Sequence, residues 1–147
     1  MKLLQRKIDS ILKEWKKNEN RLPLIVKGAR QVGKTASILQ FAHSNYKNVV
    51  AINFVLQPKY KAIFEEGYEV DDIIRNLTLI NPSLKIEPTN TLIFFDEMQD
   101  CPACATSLKA FKIDGRYDVI CSGSLMGINY QEIESNSVGY KEDYTMH

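Results

Sequence analysis

Apolar residues recur along the chain in two alternating patterns. Near the N-terminus they fall at helical spacing, at Leu4, Ile8, Ile11, Leu12 and Trp15. Residues 2–17 are therefore predicted to form an amphipathic helix. Beyond them, short apolar runs alternate with stretches of helical pattern as far as residue 121. Strands that alternate with helices favour a parallel sheet covered on both faces, which predicts a three-layer α/β/α fold.

The strand-like runs are short, apolar and in part β-branched. They are Leu24 to Val26, Val49 to Phe54, Leu92 to Phe95 and Tyr117 to Cys121. Helices are predicted at Lys34 to His43, Pro58 to Glu66, Asp71 to Ile80 and Ala103 to Phe111. The polar segment from Gly127 to His147 has neither period, so no element is predicted there.

Composition changes this picture little. The chain has 147 residues, of which 44% are hydrophobic and 25% charged, and this suits one globular domain. Its net charge of +1 gives no reason to expect nucleic acid as a partner of the whole chain. Residues 1–30 are nevertheless basic, with nine Lys or Arg against three Asp or Glu. We interpret the basic side of the first helix as a solvated face, with a membrane-surface or partner-binding helix as the alternative.

The sequence also bears on the compartment. No apolar run approaches the ~18 residues of a membrane span, and no apolar leader with a small-residue cleavage site follows the basic start. Three cysteines are too few for a disulfide framework, so a cytoplasmic location is expected.

A glycine-containing stretch between the first predicted strand and the next helix carries the most specific chemical pattern. Its sequence, Gly28-Ala29-Arg30-Gln31-Val32-Gly33-Lys34-Thr35, fits the P-loop spacing G-x-x-x-x-G-K-[ST]. The glycines permit main-chain angles and close approaches that a Cβ would block, so N–H groups of the loop can point at phosphate. The following helix adds the positive end of its dipole. The sequence therefore predicts a site for a nucleoside triphosphate with Mg²⁺.

Individual roles follow from the chemistry of the side chains. Lys34 is predicted to contact the β- and γ-phosphates as a point charge, and the Thr35 hydroxyl to bind Mg²⁺. The residues expected around the phosphates are Gly28, Ala29, Arg30, Gln31, Val32, Gly33, Lys34, Thr35 and Ala36.

Two carboxylates follow a fully apolar strand. Leu92 to Phe95 leads directly into Asp96 and Glu97, at the C-terminal end of a strand, where ligands of parallel sheets bind. Asp96 is predicted to hold Mg²⁺ mostly through water, because Mg²⁺ gives up its hydration reluctantly. Glu97 is predicted to polarise the water that attacks the γ-phosphate.

Two serines follow the last predicted strand, at positions 122 and 124. A hydroxyl of Ser122 or Ser124 is predicted to sense the γ-phosphate or to position the attacking water, and the choice between the two stays open. The alternative is an ordinary Ser-Gly-Ser turn.

Taken together, these motifs resemble a prokaryotic family of AAA-type ATPases, in which the ATPase domain is commonly followed by a second domain of unknown function. The stretch from Arg21 to Thr35 resembles the opening of that family. Leu92 to Gln99, followed by Cys101-Pro102 and Ser107-Leu108-Lys109, resembles its Walker B segment and the next helix. Val119 to Gly127 resembles its sensor strand.

The resemblance implies ATP as the nucleotide, Mg-dependent hydrolysis and a five-stranded sheet in the order 5-1-4-3-2. It also implies a longer protein, so the chain is expected to be an N-terminal fragment. We expect an N-terminal helix and linker over residues 1–20, an ATPase core over 21–127, and a tail over 128–147 that ends before the fifth strand. The first strand would then be a bare edge. A homo-oligomer, a protein partner and DNA are all left open as partners, although nothing in the sequence supports DNA.

Other functions compete with hydrolysis. A nucleotide-dependent switch for a partner such as DNA or another protein would use the same P-loop without turnover. A redox protein would use Cys101 and Cys104, because their C-x-x-C spacing before a helix is thioredoxin-like and a helix N-terminus lowers the pKa of the first thiol. Only Cys121 remains for a zinc site, and the two histidines lie far away in sequence. No arginine finger is evident, since Arg30 lies inside the loop and Arg116 before the sensor strand.

Overall fold

The computed structural model describes residues 2–28, 33–124 and 142–145, with side chains from residue 7 onward. Within these ranges, helices and strands alternate as the sequence predicts. The helices are α1 (Lys2–Lys17), α2 (Lys34–Asn45), α3 (Val70–Ile80) and α4 (Pro102–Asp114). The strands are β1 (Leu24–Gly28), β2 (Asn48–Asn53), β3 (Thr91–Asp96), β4 (Asp118–Ser124) and β5 (Glu142–Thr145). Two 3₁₀ helices, Pro58–Phe64 and Met98–Asp100, follow β2 and β3.

All neighbouring strands pair in parallel, in the order β2-β3-β4-β1-β5. Read from the other side, this is the order 5-1-4-3-2 that the resemblance implied, which is confirmed. Because the strands run in one direction, their last residues share one end of the sheet. We call the end that holds Gly28, Asp96 and Ser124 the carboxyl end, and the end that holds Leu24 and Asp118 the amino end.

The expectation that the chain stops before its fifth strand is wrong. Glu142–Thr145 forms β5 and pairs with β1, so the first strand is not a bare edge. Polar groups fix this pairing: the Glu142 N–H donates to the Pro23 carbonyl at 2.7 Å, and its carboxylate accepts the Leu22 N–H at 3.0 Å. A polar strand of four residues has no apolar period, which is why the pattern along the chain does not reveal it.

Two hydrophobic clusters cover the two faces of the sheet. Strand β3 contributes to both, because Leu92 and Phe94 belong to one cluster and Ile93 and Phe95 to the other. The first cluster joins the sheet to α1 and α2, and the second joins it to α3, α4 and the 3₁₀ helix Pro58–Phe64. A strand buried on both faces has a continuous apolar sequence, as expected in a parallel sheet. The three-layer architecture is therefore confirmed.

Helix α1 is the predicted amphipathic helix, and it packs on the core. Ile8, Leu12 and Trp15 are buried in the same cluster as residues of α2. The indole N–H of Trp15 donates to the Leu22 carbonyl at 2.7 Å, which fixes the end of α1 beside the start of β1. Lys13 is exposed, as expected for a solvated basic face. None of the helices within the described ranges is long and apolar enough to cross a membrane.

Two local predictions need correction. The alternative of a Ser-Gly-Ser turn is wrong, because Ser122 and Ser124 lie inside β4, where they pair with Val26 and Gly28 of β1. Strand β4 continues beyond its apolar run because it pairs with β1 as far as Ser124. The segment Pro58–Phe64 is helical as predicted, but it is a 3₁₀ helix rather than an α-helix.

Candidate nucleotide-binding site

Three adjacent strands bring the predicted site residues to the carboxyl end of the sheet. Strand β1 ends at Gly28, β3 at Asp96 and β4 at Ser124, and β4 lies between the other two. Residues from three separate segments of the sequence therefore meet at one place. This is the end at which open parallel sheets bind their ligands.

In the turn between β1 and α2, the side chain of Lys34 forms a hydrogen bond back to the end of β1. Gly33 has φ 74° and ψ 18°, a left-handed conformation that favours glycine, and α2 begins directly after it. Lys34 is only 3% exposed, and its Nζ donates to the Gly28 carbonyl at 2.9 Å. The first turn of α2 contains no acidic residue, so no carboxylate of that turn offsets the positive end of the helix dipole. In the described part of the turn, the Lys34 side chain thus joins the first residue of α2 to the end of β1.

The remaining residues predicted around the phosphates divide into two groups. Thr35 is half-buried and Ala36 exposed in the first turn of α2. Four predicted residues lie outside the described ranges: Ala29, Arg30, Gln31 and Val32. Their assignment to phosphate binding stays a prediction.

The carboxylate of Asp96 joins three segments of the chain. It is 6% exposed, and a buried carboxylate requires hydrogen-bond donors. Its Oδ2 accepts from the Thr35 hydroxyl at 2.9 Å, and its Oδ1 accepts from the Ser122 hydroxyl at 2.8 Å. Oδ1 also accepts from the N–H of Glu97 at 2.9 Å. All three of these donors are uncharged groups.

These contacts distinguish the two serines. The Ser122 hydroxyl holds the carboxylate of Asp96, and Ser122 is fully buried. Ser124 is the last residue of β4, and its main-chain N–H donates to Oε1 of Gln99 at 3.4 Å. The structure therefore places Ser122 next to the predicted metal ligand and Ser124 next to the segment that follows β3. The γ-phosphate sensor role of either serine stays a prediction.

Glu97 lies immediately after β3, in an uncommon main-chain conformation. Its φ of 55° and ψ of 47° are left-handed, which costs a residue with a side chain roughly 1–2 kcal/mol. The Nε2 group of Gln99 donates to Oε2 of Glu97. No role for Gln99 was predicted from the sequence, although this residue belongs to the segment that resembles Walker B. The signal in the sequence for such a contact is only that a glutamine stands two residues after the predicted base.

The oxygen atoms at this site fit a magnesium ion. Thr35 Oγ1 and Asp96 Oδ2 lie 2.9 Å apart, so a hydroxyl and a carboxylate are already adjacent. Mg²⁺ usually takes one or two protein oxygens and completes its shell with water and phosphate. A different kind of metal site, built from three or more His, Cys, Asp or Glu side chains, is absent from the ranges that the structure describes.

The thiols do not fit the redox alternative. Cys101 is 4% exposed and Cys104 is fully buried, and burial raises the pKa of both thiols, whereas a reactive thiol needs a lowered pKa. Cys104 Sγ lies 3.9 Å from Cys121 Sγ on β4. All three residues are free thiols in the hydrophobic cluster that α4 shares with the sheet. The C-x-x-C spacing therefore reflects the packing of these side chains in the hydrophobic cluster.

Arg116, which precedes the sensor strand in the sequence, lies far from the candidate site residues. It precedes β4 and so lies at the amino end of the sheet. Its guanidinium forms ion pairs with Asp71 at 2.6 Å and with Asp114 at 2.7 Å. Arg30 lies outside the described ranges.

The sheet order and the left-handed Gly33 directly before α2 are features of the P-loop NTPase fold. A family model described as an AAA domain matches residues 20–147, and the chain belongs to that family. This confirms the resemblance to AAA-type ATPases and makes the protein a nucleotide-binding domain of ATPase type. No curated protein matches the chain.

Solved structures with the same fold include two complexes with DNA. The structure of the Aeropyrum pernix ORC1 protein in complex with DNA is 13% identical, with a TM-score of 0.54, and the match covers 99% of this chain and 44% of that one. The structure of Drosophila ORC bound to GC-rich DNA and Cdc6 is 11% identical, with a TM-score of 0.59, and the match covers 99% of this chain and 56% of that one. The chain thus spans about half the length of these solved chains. At such identities the similarity concerns the fold alone.

Proposed function

We propose that this domain binds ATP with Mg²⁺ and hydrolyses it. The observation that carries the proposal is the buried carboxylate of Asp96, which accepts hydrogen bonds from Thr35 and Ser122. These hydroxyls lie 61 and 26 residues away in sequence. One carboxylate thereby joins the start of α2, the end of β3 and the end of β4, which are the parts needed to bind a polyphosphate and its metal ion.

Binding divides among three groups of atoms. The N–H groups expected in the turn from Gly28 to Thr35 and the Lys34 ammonium would hold the phosphates, because helix N-termini bind anions and Lys34 begins α2. Thr35 and Asp96 would hold Mg²⁺, which neutralises charge on the phosphate oxygens when it is bound. Ser122 would keep the Asp96 carboxylate in place.

Hydrolysis assigns Glu97 the role of general base. The oxygen of a water molecule forms a bond to the γ-phosphorus, and the bond from that phosphorus to the bridging oxygen breaks, so that ADP leaves with the electron pair. Glu97 accepts a proton from the water and passes it on to the released phosphate. Support comes from its place directly after Asp96, in a turn whose main chain is held by Asp96 itself.

The nucleotide and the extent of the domain are part of the same proposal. ATP rather than GTP is favoured because the chain belongs to the AAA family and contains no Asn-Lys-x-Asp sequence for guanine. The proposed ATPase core comprises residues 21–127 together with β5, which completes the sheet beside β1. The cytoplasm is the proposed compartment, because the cysteines are free thiols.

Calorimetry with Mg·ATP and a phosphate-release assay test this function together. We expect wild-type protein to bind Mg·ATP and to release phosphate only when Mg²⁺ is present. Glu97→Gln should bind Mg·ATP within about twofold of wild type and lose hydrolysis by roughly 10²- to 10⁴-fold, because the general base is gone. Glu87→Gln, at an exposed ion pair with Lys47, is the matched control and should leave both quantities unchanged.

Three results have distinct meanings. Absence of heat with Mg·ATP would contradict the whole proposal. Binding without any phosphate release would leave only a nucleotide-dependent switch. Normal hydrolysis by Glu97→Gln would remove Glu97 as the base and leave the rest in place.

A further inference from the structure

One glutamine side chain links the proposed base to the neighbouring strand. Gln99 lies in the 3₁₀ helix Met98–Asp100, two residues after Glu97. Its Nε2 donates to Oε2 of Glu97, and its Oε1 accepts the N–H of Ser124 at 3.4 Å. Gln99 thus contacts the carboxylate on one side and the last residue of β4 on the other.

The chemistry of these two contacts fixes the orientation of the amide. An ionised carboxylate only accepts hydrogen bonds, and a main-chain N–H only donates them. Rotating the amide by a half-turn would place oxygen against oxygen and nitrogen against nitrogen. Only one arrangement of the Gln99 side chain satisfies Glu97 and Ser124 together.

The main chain and the side chain of Glu97 are held by different groups. Its N–H donates to Asp96, and its carbonyl accepts the N–H of Asp100 at 3.1 Å, so the left-handed main chain is fixed from both sides. The glutamate side chain still has three rotatable bonds, and fixing them costs conformational entropy. A hydrogen bond at the carboxylate itself offsets part of that cost and restricts where the oxygens lie.

We propose that Gln99 is a positioning residue for ATP hydrolysis: it holds the Glu97 carboxylate in register with the end of β4. This inference rests on the proposed function, in which Glu97 is the general base. Ser122 of the same strand holds Asp96, so β4 positions both carboxylates, one through Ser122 and one through Gln99 and Ser124. A carboxylate held this way is already oriented to accept a proton from the attacking water, so no change of rotamer has to precede the reaction.

Substitutions at Gln99 test the inference through kinetics and binding measured separately. Gln99→Met has a similar length but lacks the amide, and Gln99→Glu keeps the shape but cannot donate to Glu97 at neutral pH. Both should lower kcat for ATP hydrolysis by roughly 10- to 100-fold, the usual effect of misplacing a catalytic group. Both should keep the Kd for Mg·ATP within about twofold of wild type, because no phosphate or metal ligand is changed. Gln40→Met, at an exposed position of α2, is the matched control.

A double substitution shows whether Gln99 acts through Glu97. In a Glu97→Gln background, Gln99→Met should cause no further loss of kcat, because the carboxylate that it positions is already absent. Additive losses in kcat, or a weaker affinity for Mg·ATP in Gln99→Met and Gln99→Glu alike, would mean that Gln99 merely supports the local chain. Thermal unfolding monitored by circular dichroism identifies any variant that fails to fold, and the other Gln99 variant then decides.

The outcomes separate this inference from the proposed function. If wild-type protein hydrolyses ATP and both Gln99 variants keep its kcat, the inference alone is overturned. If wild-type protein does not hydrolyse ATP, the proposed function is overturned and the inference with it.

Discussion

The two ends of the sheet each hold an aspartate that accepts several hydrogen bonds, yet the two sites have different chemistry. At the carboxyl end, Asp96 accepts from two hydroxyls and one main-chain N–H, all uncharged. At the amino end, Asp118 accepts from the guanidinium of Arg21 at 2.7 Å and from the Tyr46 hydroxyl. Asp118 also begins β4, the strand that ends beside Asp96.

The difference lies in the charge of the partner. The ion pair of Asp118 with Arg21 neutralises that carboxylate and ties the segment before β1 to β4, and Tyr46 adds the end of α2. The cluster of Asp118, Arg21 and Tyr46 therefore links β4, the segment before β1 and the end of α2. The hydroxyls around Asp96 stabilise the carboxylate without contributing a positive charge, and one of them, Thr35, is itself a suitable metal ligand. We therefore expect changes at Asp96 to affect catalysis and changes at Asp118 to affect stability.

The largest effect is expected at the carboxyl end from Asp96→Asn. The amide keeps the size of the side chain but has no negative charge for Mg²⁺, so kcat for ATP hydrolysis should fall by roughly 10³-fold. Phosphate release as a function of Mg²⁺ concentration measures the change. Asp100→Asn, four residues further on and in an exposed ion pair with Lys61, is the control and should hydrolyse ATP as wild type does. Equal loss in both variants would contradict a specific role of Asp96.

A smaller effect is expected from Lys34→Ala. Loss of the buried ammonium should weaken Mg·ATP binding by roughly 100-fold, about 2.7 kcal/mol, because a charged partner of the phosphates is removed. Titration calorimetry gives the Kd directly. Lys47→Ala provides the comparison, since Lys47 pairs with Glu87 on the surface and should leave the Kd unchanged. Unchanged affinity in Lys34→Ala would show that the turn does not bind phosphate through this residue.

At the amino end the expected change is in stability. Asp118→Ala leaves Arg21 and Tyr46 without their acceptor in a partly buried place, so unfolding should become easier by roughly 2 kcal/mol. Urea unfolding measures this, with the affinity for Mg·ATP as the second readout. We expect that affinity to stay at the wild-type value while the unfolding midpoint falls. A change in the affinity for Mg·ATP without a change in the unfolding midpoint would contradict the assignment of Asp118 to stability.

The smallest effect is expected from Tyr46→Phe, at about 1 kcal/mol near pH 7. Burial, together with the hydrogen bond to Asp118, raises the pKa of Tyr46 above its ordinary value of 10.0. A raised pKa in the folded state means that only the unfolded chain ionises just above pH 10. The stability linked to neutral Tyr46 is therefore complete below pH 10 and is lost as the pH rises further.

Unfolding measured at a series of pH values tests the sign of this dependence. Above pH 10, wild-type protein should lose stability relative to Tyr46→Phe, by up to about 1.4 kcal/mol for each pH unit. Taking the difference between the two proteins removes the contribution of other tyrosines. Parallel curves would show that Tyr46 ionises as readily in the folded protein as in the unfolded chain.

The sequence predicted those features that depend on local pattern. The apolar run of β3 identified a strand buried on both faces, and the spacing of Ile8, Leu12 and Trp15 identified α1. The glycine and lysine of the turn before α2 were recognisable because phosphate binding demands those residue types at that spacing. Asp96 was predicted because it directly follows the apolar run of β3.

Other features depend on residues that are distant in sequence, and these the pattern did not reveal. Strand β5 exists because the edge of β1 offers main-chain partners to a polar segment. The choice between the serines and the contact of Gln99 with Glu97 depend on which side chains the sheet brings together.

The amino-acid sequence by itself determined the alternation of elements and the family and indicated the candidate site residues, since these follow from periodicity and from short motifs. The tertiary structure alone decided that Asp96 meets Thr35 and Ser122, and that β5 completes the sheet. The physical reason is that a hydrogen bond between side chains tens of residues apart depends on the pairing and register of strands. Neither is encoded in any single segment.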